Sequence, residues 1–286
     1  VHAENGEILN FLRSECVKKG QLTPHYHYVS RPPFTEAEAV RRAIYLAGQT
    51  DTPLYIAHMT CREAIAELQK AKGTGQRVSG ETCTHYLTTT KEVLDNPDFN
   101  EAAKFVCSPA LRDREDCEAL WQALSDGLLT AVSSDHCGID VAELKQAGRN
   151  DFTQIPNGSP GAGDRLHMVW TEGVCTGKLT RQKFVDVIAP QPAKINGIYP
   201  RKGTLAVGSD ADIVIFDPNY EGTVHLADNP NGVDYNLYEG RRQSGRVETV
   251  LLRGQVVVEN AKFVGRYGQG KFIPANMYAS GYENRN

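Results

Sequence analysis

The chain has 286 residues, 40% of them hydrophobic and 23% charged, with a formal net charge of -4. That size supports one large α/β domain or one domain with an appendage. Such mild acidity leaves no footprint for nucleic acid and no basic helix for a membrane surface, and no apolar run approaches the ~18 residues of a membrane span. The seven cysteines (Cys16, Cys61, Cys83, Cys107, Cys117, Cys137, Cys175) include no C-x-x-C pair. Reduced, buried thiols in a cytoplasmic protein are therefore expected.

The chain opens V-H-A-E-N-G. A strand-end histidine at position 2 needs a strand before it, so an N-terminal part is expected to be absent from this chain. Ile8, Leu9, Leu12 and Val17 give an amphipathic helix over residues 7–19. Residues 22–34, rich in Pro, His and Tyr, read as a loop, and Thr35 with Glu38 has capping-box spacing for the next helix. The stretch P-L-Y-I-A-H-M-T is apolar until its end and carries His58 at its tip, as a buried parallel strand does. Thr60 and Glu63 have capping-box spacing for a helix carrying Ala64, Ile65, Leu68 and Ala71.

Strands are expected at 77–83, 104–109 and 128–135, the last ending on Asp135, with a helix from Asp116 to Asp126. This βα alternation argues for a parallel sheet flanked by helices. Residues 136–163, with many Gly, Pro and Asn, read as a functional loop. Helices resume around Leu166–Val174, from Thr180, and over Pro192–Asn196. After Pro200 helical periodicity ends, and strands such as the pair joined at Gly254 suggest a small all-β unit. The expected organisation is residues 1–200 as one α/β unit and 201–286 as a small all-β unit with a tail.

His2, His58 and Asp135 are the strand-end polar residues. Two imidazoles and a carboxylate suit a divalent metal of the zinc type. Ligands from separate strands have no diagnostic spacing, so the pattern alone also leaves open that His58 is a core histidine with one satisfied hydrogen bond. His25-Tyr26-His27 follows Pro24 in a loop and is read as a decoy for a metal-binding H-x-H. His136 is either a partner of Asp135 or merely polar, and His85 is read as structural. Cys83 and Cys107 are read as core residues, since no basic neighbour is arranged to lower a thiol pKa. Asp210 and Asp212 are read as turn and strand-start residues.

The words V-H-A-E-N-G, Y-I-A-H-M, G-E-T-C, C-S-P-A-L-R, S-D-H-C, D-F-T-Q-I-P-N-G, Y-P-R-K-G-T-L-A-V-G-S-D-A-D-I-V-I-F-D-P and D-Y-N-L-Y-E-G occur in that order. Together they resemble the D-hydantoinase/dihydropyrimidinase family of the amidohydrolase superfamily, and G-E-T-C and C-S-P-A-L-R look like its bacterial branch. The resemblance implies the C-terminal part of a (β/α)8 TIM-type barrel followed by part of a small β-sandwich domain. It implies zinc-dependent opening of a hydantoin or dihydropyrimidine ring to an N-carbamoyl amino acid. His2 and His58 are then ligands of one zinc, Asp135 is a ligand of the other and the proton shuttle, and Ser108 and Asn157 are substrate contacts. The implied cofactors are two Zn2+ bridged by a carboxylated lysine; that lysine and the family's first-strand H-x-H are absent from this chain. A small cyclic amide is the implied partner, with no nucleic acid or membrane, and a homotetramer is implied for the intact protein. The chain alone is expected to be inactive. Two alternatives stay open: another amidohydrolase such as a dihydroorotase or allantoinase, and a non-catalytic binding protein on the same fold.

Overall fold

The structure, a computed structural model, describes residues 1–276. Its contacts group into two compact units, residues 1–165 with 224–240 and residues 166–223 with the described residues from 241 on. This grouping crosses residue 200, because two aromatic residues from the helices after residue 165 pack against a strand beyond it.

The first unit begins with α1 (Gly6–Lys18), capped by the Asn5 side chain, which accepts from the Ile8 amide. Residues 25–29 form a short helix, α2 (His25–Val29), where a loop was expected. Next comes α3 (Pro33–Gln49), which starts on a proline at its first turn, so Thr35 lies inside the helix and is not its cap. Then follow β1 (Leu54–Ile56), α4 (Arg62–Gly73), β2 (Val78–Cys83) and α5 (Thr84–Thr88). The expected cap of α4 also fails: Cys61 occupies that position, and Thr60 is engaged by a buried carboxylate instead.

After α6 (Phe99–Ala103), residues 104–109 form no strand; they turn away, and Val106 sits in a core cluster with Cys16, Leu94, Ala103, Phe152 and Ile155. Apolar residues alone cannot distinguish such a buried turn from a strand. The unit continues with α7 (Arg114–Ser125) and β3 (Ala131–Ser133). The three strands form a parallel sheet in the order β1-β2-β3, with Ile56 opposite Gly80 and Cys83 opposite Ser133. Their C-terminal ends therefore share one edge. At Gly80 a Cβ would stand 2.6 Å from Met59 Sδ, so a larger residue there would have to displace that buried side chain.

The second unit holds α8 (Arg165–Val169, whose first residue belongs to the other unit), α9 (Arg181–Ile188) and α10 (Pro190–Ile195). They precede an antiparallel sheet of β4 (Ile213–Thr223), β5 (Arg242–Leu252), β6 (Gln255–Glu259) and β7 (Lys262–Phe263). A π-helical turn at Trp170–Val174 continues α8. Trp170 lies 5.4 Å from Phe184 and 5.1 Å from Phe216, ring centre to centre. Asp210 and Asp212 pair with Lys202 ahead of β4, as turn residues. No helix among the described residues is long and apolar enough to cross a membrane.

Candidate active site

Parallel pairing brings the chain past β1 and past β3 to the same edge of the sheet. There His58 and Asp135 both adopt positive φ, 38° and 43°. Non-glycine residues rarely do so, and such backbone strain clusters at functional sites. Residues 1–2 lie alongside β1, with the Ala57 amide donating to the Val1 carbonyl at 3.0 Å. This registers His2 against His58. His2 Nδ1 is 3.1 Å from His58 Nε2, and the rings meet edge-on at 70°.

His58 is buried, and its Nδ1 has no partner among the described residues. Burial lowers its pKa, and the neighbouring His2 lowers it further, against the opposing charge of Asp135. The ring is thus biased toward the neutral form, the one that can ligate a metal.

Behind the histidine pair runs a buried polar chain that the sequence did not announce. Glu4 Oε2 lies 3.1 Å from His2 Nε2 and accepts from Arg31 Nη1 at 2.7 Å. A carboxylate only accepts, so this contact puts the proton of His2 on Nε2 and leaves Nδ1 free toward His58. Burial raises the Glu4 pKa, but the hydrogen bond from His2 and the charge of Arg31 outweigh it and hold the group at about 2.

The Arg31 carbonyl accepts from Arg112 Nη1. Arg112 also donates to Glu36 at 3.1 Å and to Thr60 Oγ1 at 2.8 Å, and Glu36 accepts from the Thr60 amide at 2.8 Å. Thr60 is two residues past His58, so the network connects the backing of both histidines. Its only trace in the sequence is the placement of Glu4 two residues after His2.

Ser108 and Asn157, 49 residues apart, meet directly: Ser108 Oγ donates to Asn157 Oδ1 at 2.8 Å. Gly158 holds φ at 148°, and a Cβ there would stand 2.8 Å from the Cys137 carbonyl. His136 Nδ1 faces the amides of Gly161 and Ala162 at 3.3 and 3.4 Å. The His25/His27 pair splits, with His25 on Asp95 at 2.6 Å and His27 buried on the Cys107 carbonyl at 2.7 Å. Cys83 and Cys107 are buried, and burial pushes the Cys107 thiol up to about 11. His85 is buried too, its pKa lowered by burial to about 3.

The imidazole pair fits a share of a metal site. Its 3.1 Å separation is close to the ~3.3 Å between two nitrogens on one tetrahedral zinc. Asp135 stands at the same edge but two strands from β1, roughly 10 Å of backbone spacing. Among the described residues no group of three or more His, Cys, Asp or Glu is gathered to hold a metal ion.

The sequence matches the profile of the amidohydrolase family over residues 22–257. It is 48% identical over 278 residues to the D-hydantoinase of Ralstonia pickettii, covering 97% of this chain and 60% of that protein. It is 47% identical over 278 residues to the D-hydantoinase of Rhizobium radiobacter, again covering 97% and 60%. Among solved structures, dihydropyrimidinase from Brevibacillus agri NCHU1002 superposes with a TM-score of 0.96 at 44% identity, covering 98% of this chain and 60% of that one. The chain belongs to the amidohydrolase family. Within it, the similarity is to the D-hydantoinases and dihydropyrimidinases. The chain spans about 60% of the length of these relatives.

Proposed function

We propose that this chain carries part of the active site of a metal-dependent cyclic amidohydrolase, one that opens a hydantoin or dihydropyrimidine ring to an N-carbamoyl amino acid. The observation that carries this reading is the His2–His58 pair at the C-terminal edge of the parallel sheet, the edge at which barrel enzymes place their chemistry. Relatives named D-hydantoinase and dihydropyrimidinase support it. The sheet and its helices would belong to a (β/α)8 barrel in the full-length protein, and β4–β7 to its β-sandwich.

His2 and His58 would hold one zinc and Asp135 a second, with the remaining donors outside this chain. Bound metal supplies polarisation of the attacked carbonyl and a nucleophile available at neutral pH. Asp135 takes a proton from the attacking water. The new C–O bond forms at the ring carbonyl, the C–N bond breaks, and Asp135 returns the proton to the leaving ring nitrogen. Ser108 and Asn157 hold the cyclic amide beside the sheet edge. A cytoplasmic homotetramer is part of the same reading, and the 286-residue chain alone would not turn over.

The test is a panel of hydantoin, dihydrouracil, dihydroorotate and allantoin with the full-length protein, wild type and Asp135→Asn. Carbamoyl amino acid from the first two rings, lost in the variant, is expected. Turnover confined to the last two would replace the substrate class, and no turnover of any ring would sink the reading.

A further inference from the structure

Lys145 is completely buried, and its ammonium binds backbone carbonyls, none of them charged. Its Nζ donates to Ala103 O at 2.7 Å, Gly158 O at 2.7 Å and Val106 O at 3.3 Å. Those carbonyls come from two segments that meet at the site. Val106 lies two residues before Ser108, and Gly158 directly follows Asn157. The segments also join through the Gly158 amide, which donates to Val106 O at 3.0 Å. The Tyr235 ring lies 5.9 Å from the ammonium, and its hydroxyl reaches Lys104 O at 3.3 Å.

A buried cation is costly unless its donors are all used, and here its three acceptors meet its three N–H bonds. Replacing it with an apolar side chain would take the ammonium from the Gly158 carbonyl and leave Ala103 O and Val106 O with only the amides of Val106 and Gly158, at 3.3 and 3.0 Å, removing the one cation that ties all three together. The spacing between those segments sets the 2.8 Å contact of Ser108 with Asn157. Burial lowers the Lys145 pKa to about 8, consistent with an ammonium held wholly by backbone oxygens.

We propose that Lys145 is a positioning residue for substrate binding, holding the Ser108 and Asn157 segments at the distance the cyclic amide requires. This rests on the reading of Ser108 and Asn157 as substrate contacts. The test compares wild type, Lys145→Met and Lys145→Gln in the full-length protein, with hydantoin and dihydrouracil as probes. Two readouts are used, KM against kcat and hydrogen exchange at the Gly158 amide.

Lys145→Met should raise KM roughly tenfold, with kcat changed less than about threefold, as loss of a charged hydrogen-bond donor predicts. Gly158 exchange should quicken by about tenfold or more while β1–β3 amides keep their protection. Lys145→Gln, which keeps an N–H donor, should fall between, and it carries both readouts if the Met variant is insoluble. Unchanged KM in a folded variant overturns the proposal, as does exchange that quickens evenly across the sheet with KM unaltered. Wild-type protein inert toward both rings would overturn the assigned reaction instead, and faster Gly158 exchange would still uphold the clamp.

Discussion

Glu4 Oε2 sits 3.1 Å from His2 Nε2, on the opposite side of the imidazole from the Nδ1 that faces His58. The carboxylate therefore selects which ring nitrogen remains open. Glu4→Gln keeps the shape but removes the charge, and its amide can flip to present a donor. We expect metal affinity of the full-length protein to fall by about 10- to 100-fold, the usual cost of losing such a backing group. Competition against a chromogenic chelator measures this directly, and an unaltered affinity would dismiss the role.

If His2 and His58 share one ion, as proposed, either alone should be insufficient. His58→Ala is expected to lower bound zinc in the full-length protein by about one equivalent, by elemental analysis. Chelation of the wild type should abolish ring opening, with recovery when zinc is returned. Full metal content in the variant would count against the assignment.

Glu36 and Arg112 are both nearly excluded from solvent, with side chains 2% and 4% exposed. Removing one partner strands the other charge in the interior. Glu36→Ala should cost about 3–5 kcal/mol in urea denaturation, whereas an exposed pair such as Arg42 with Glu38 should be worth ~0–1 kcal/mol. A loss below about 1 kcal/mol for Glu36→Ala would mean that water reaches the pair.

His27 makes acid sensitivity predictable. Burial, aided by the charge of Arg31, lowers its pKa to about 3 against an ordinary 6.5. Above the ordinary value both folded and unfolded chains carry it neutral, and stability is complete. Below that value the unfolded chain takes up a proton that the folded chain refuses until about pH 3. Stability should then fall by at most roughly 1.4 kcal/mol per pH unit across that window. His27→Gln should show a shallower acid limb than wild type in denaturation midpoints between about pH 4 and 7. Parallel limbs would remove His27 from the account.

The alternation of strands and helices was legible because buried strands and amphipathic helices leave periodic marks. Leu54–Ile56 and Val78–Cys83 are buried except for the half-buried Tyr55 and Glu81, and α4 buries Ala64, Ile65, Leu68 and Ala71 as their spacing predicts. The reading failed for two kinds of reason, a group claimed by another residue and an apolar run that fits two structures. Thr60 could have capped α4, but Glu36 and Arg112 take its hydroxyl, and residues 104–109 are as apolar as a strand while serving a packed turn.

For the site, the sequence determined which side chains are candidates. His2, His58, Asp135, Ser108 and Asn157 are visible as polar residues at strand tips or in recognisable words. It also determined the family, since those words occur in order. Only the tertiary structure decided who touches whom. It placed Ser108 on Asn157, His2 on His58, Glu4 behind His2, and Lys145 across the carbonyls of two distant segments. The physical reason is that a hydrogen bond in the interior is fixed by the fold's close approach of distant backbone. Distance along the chain carries no trace of that approach.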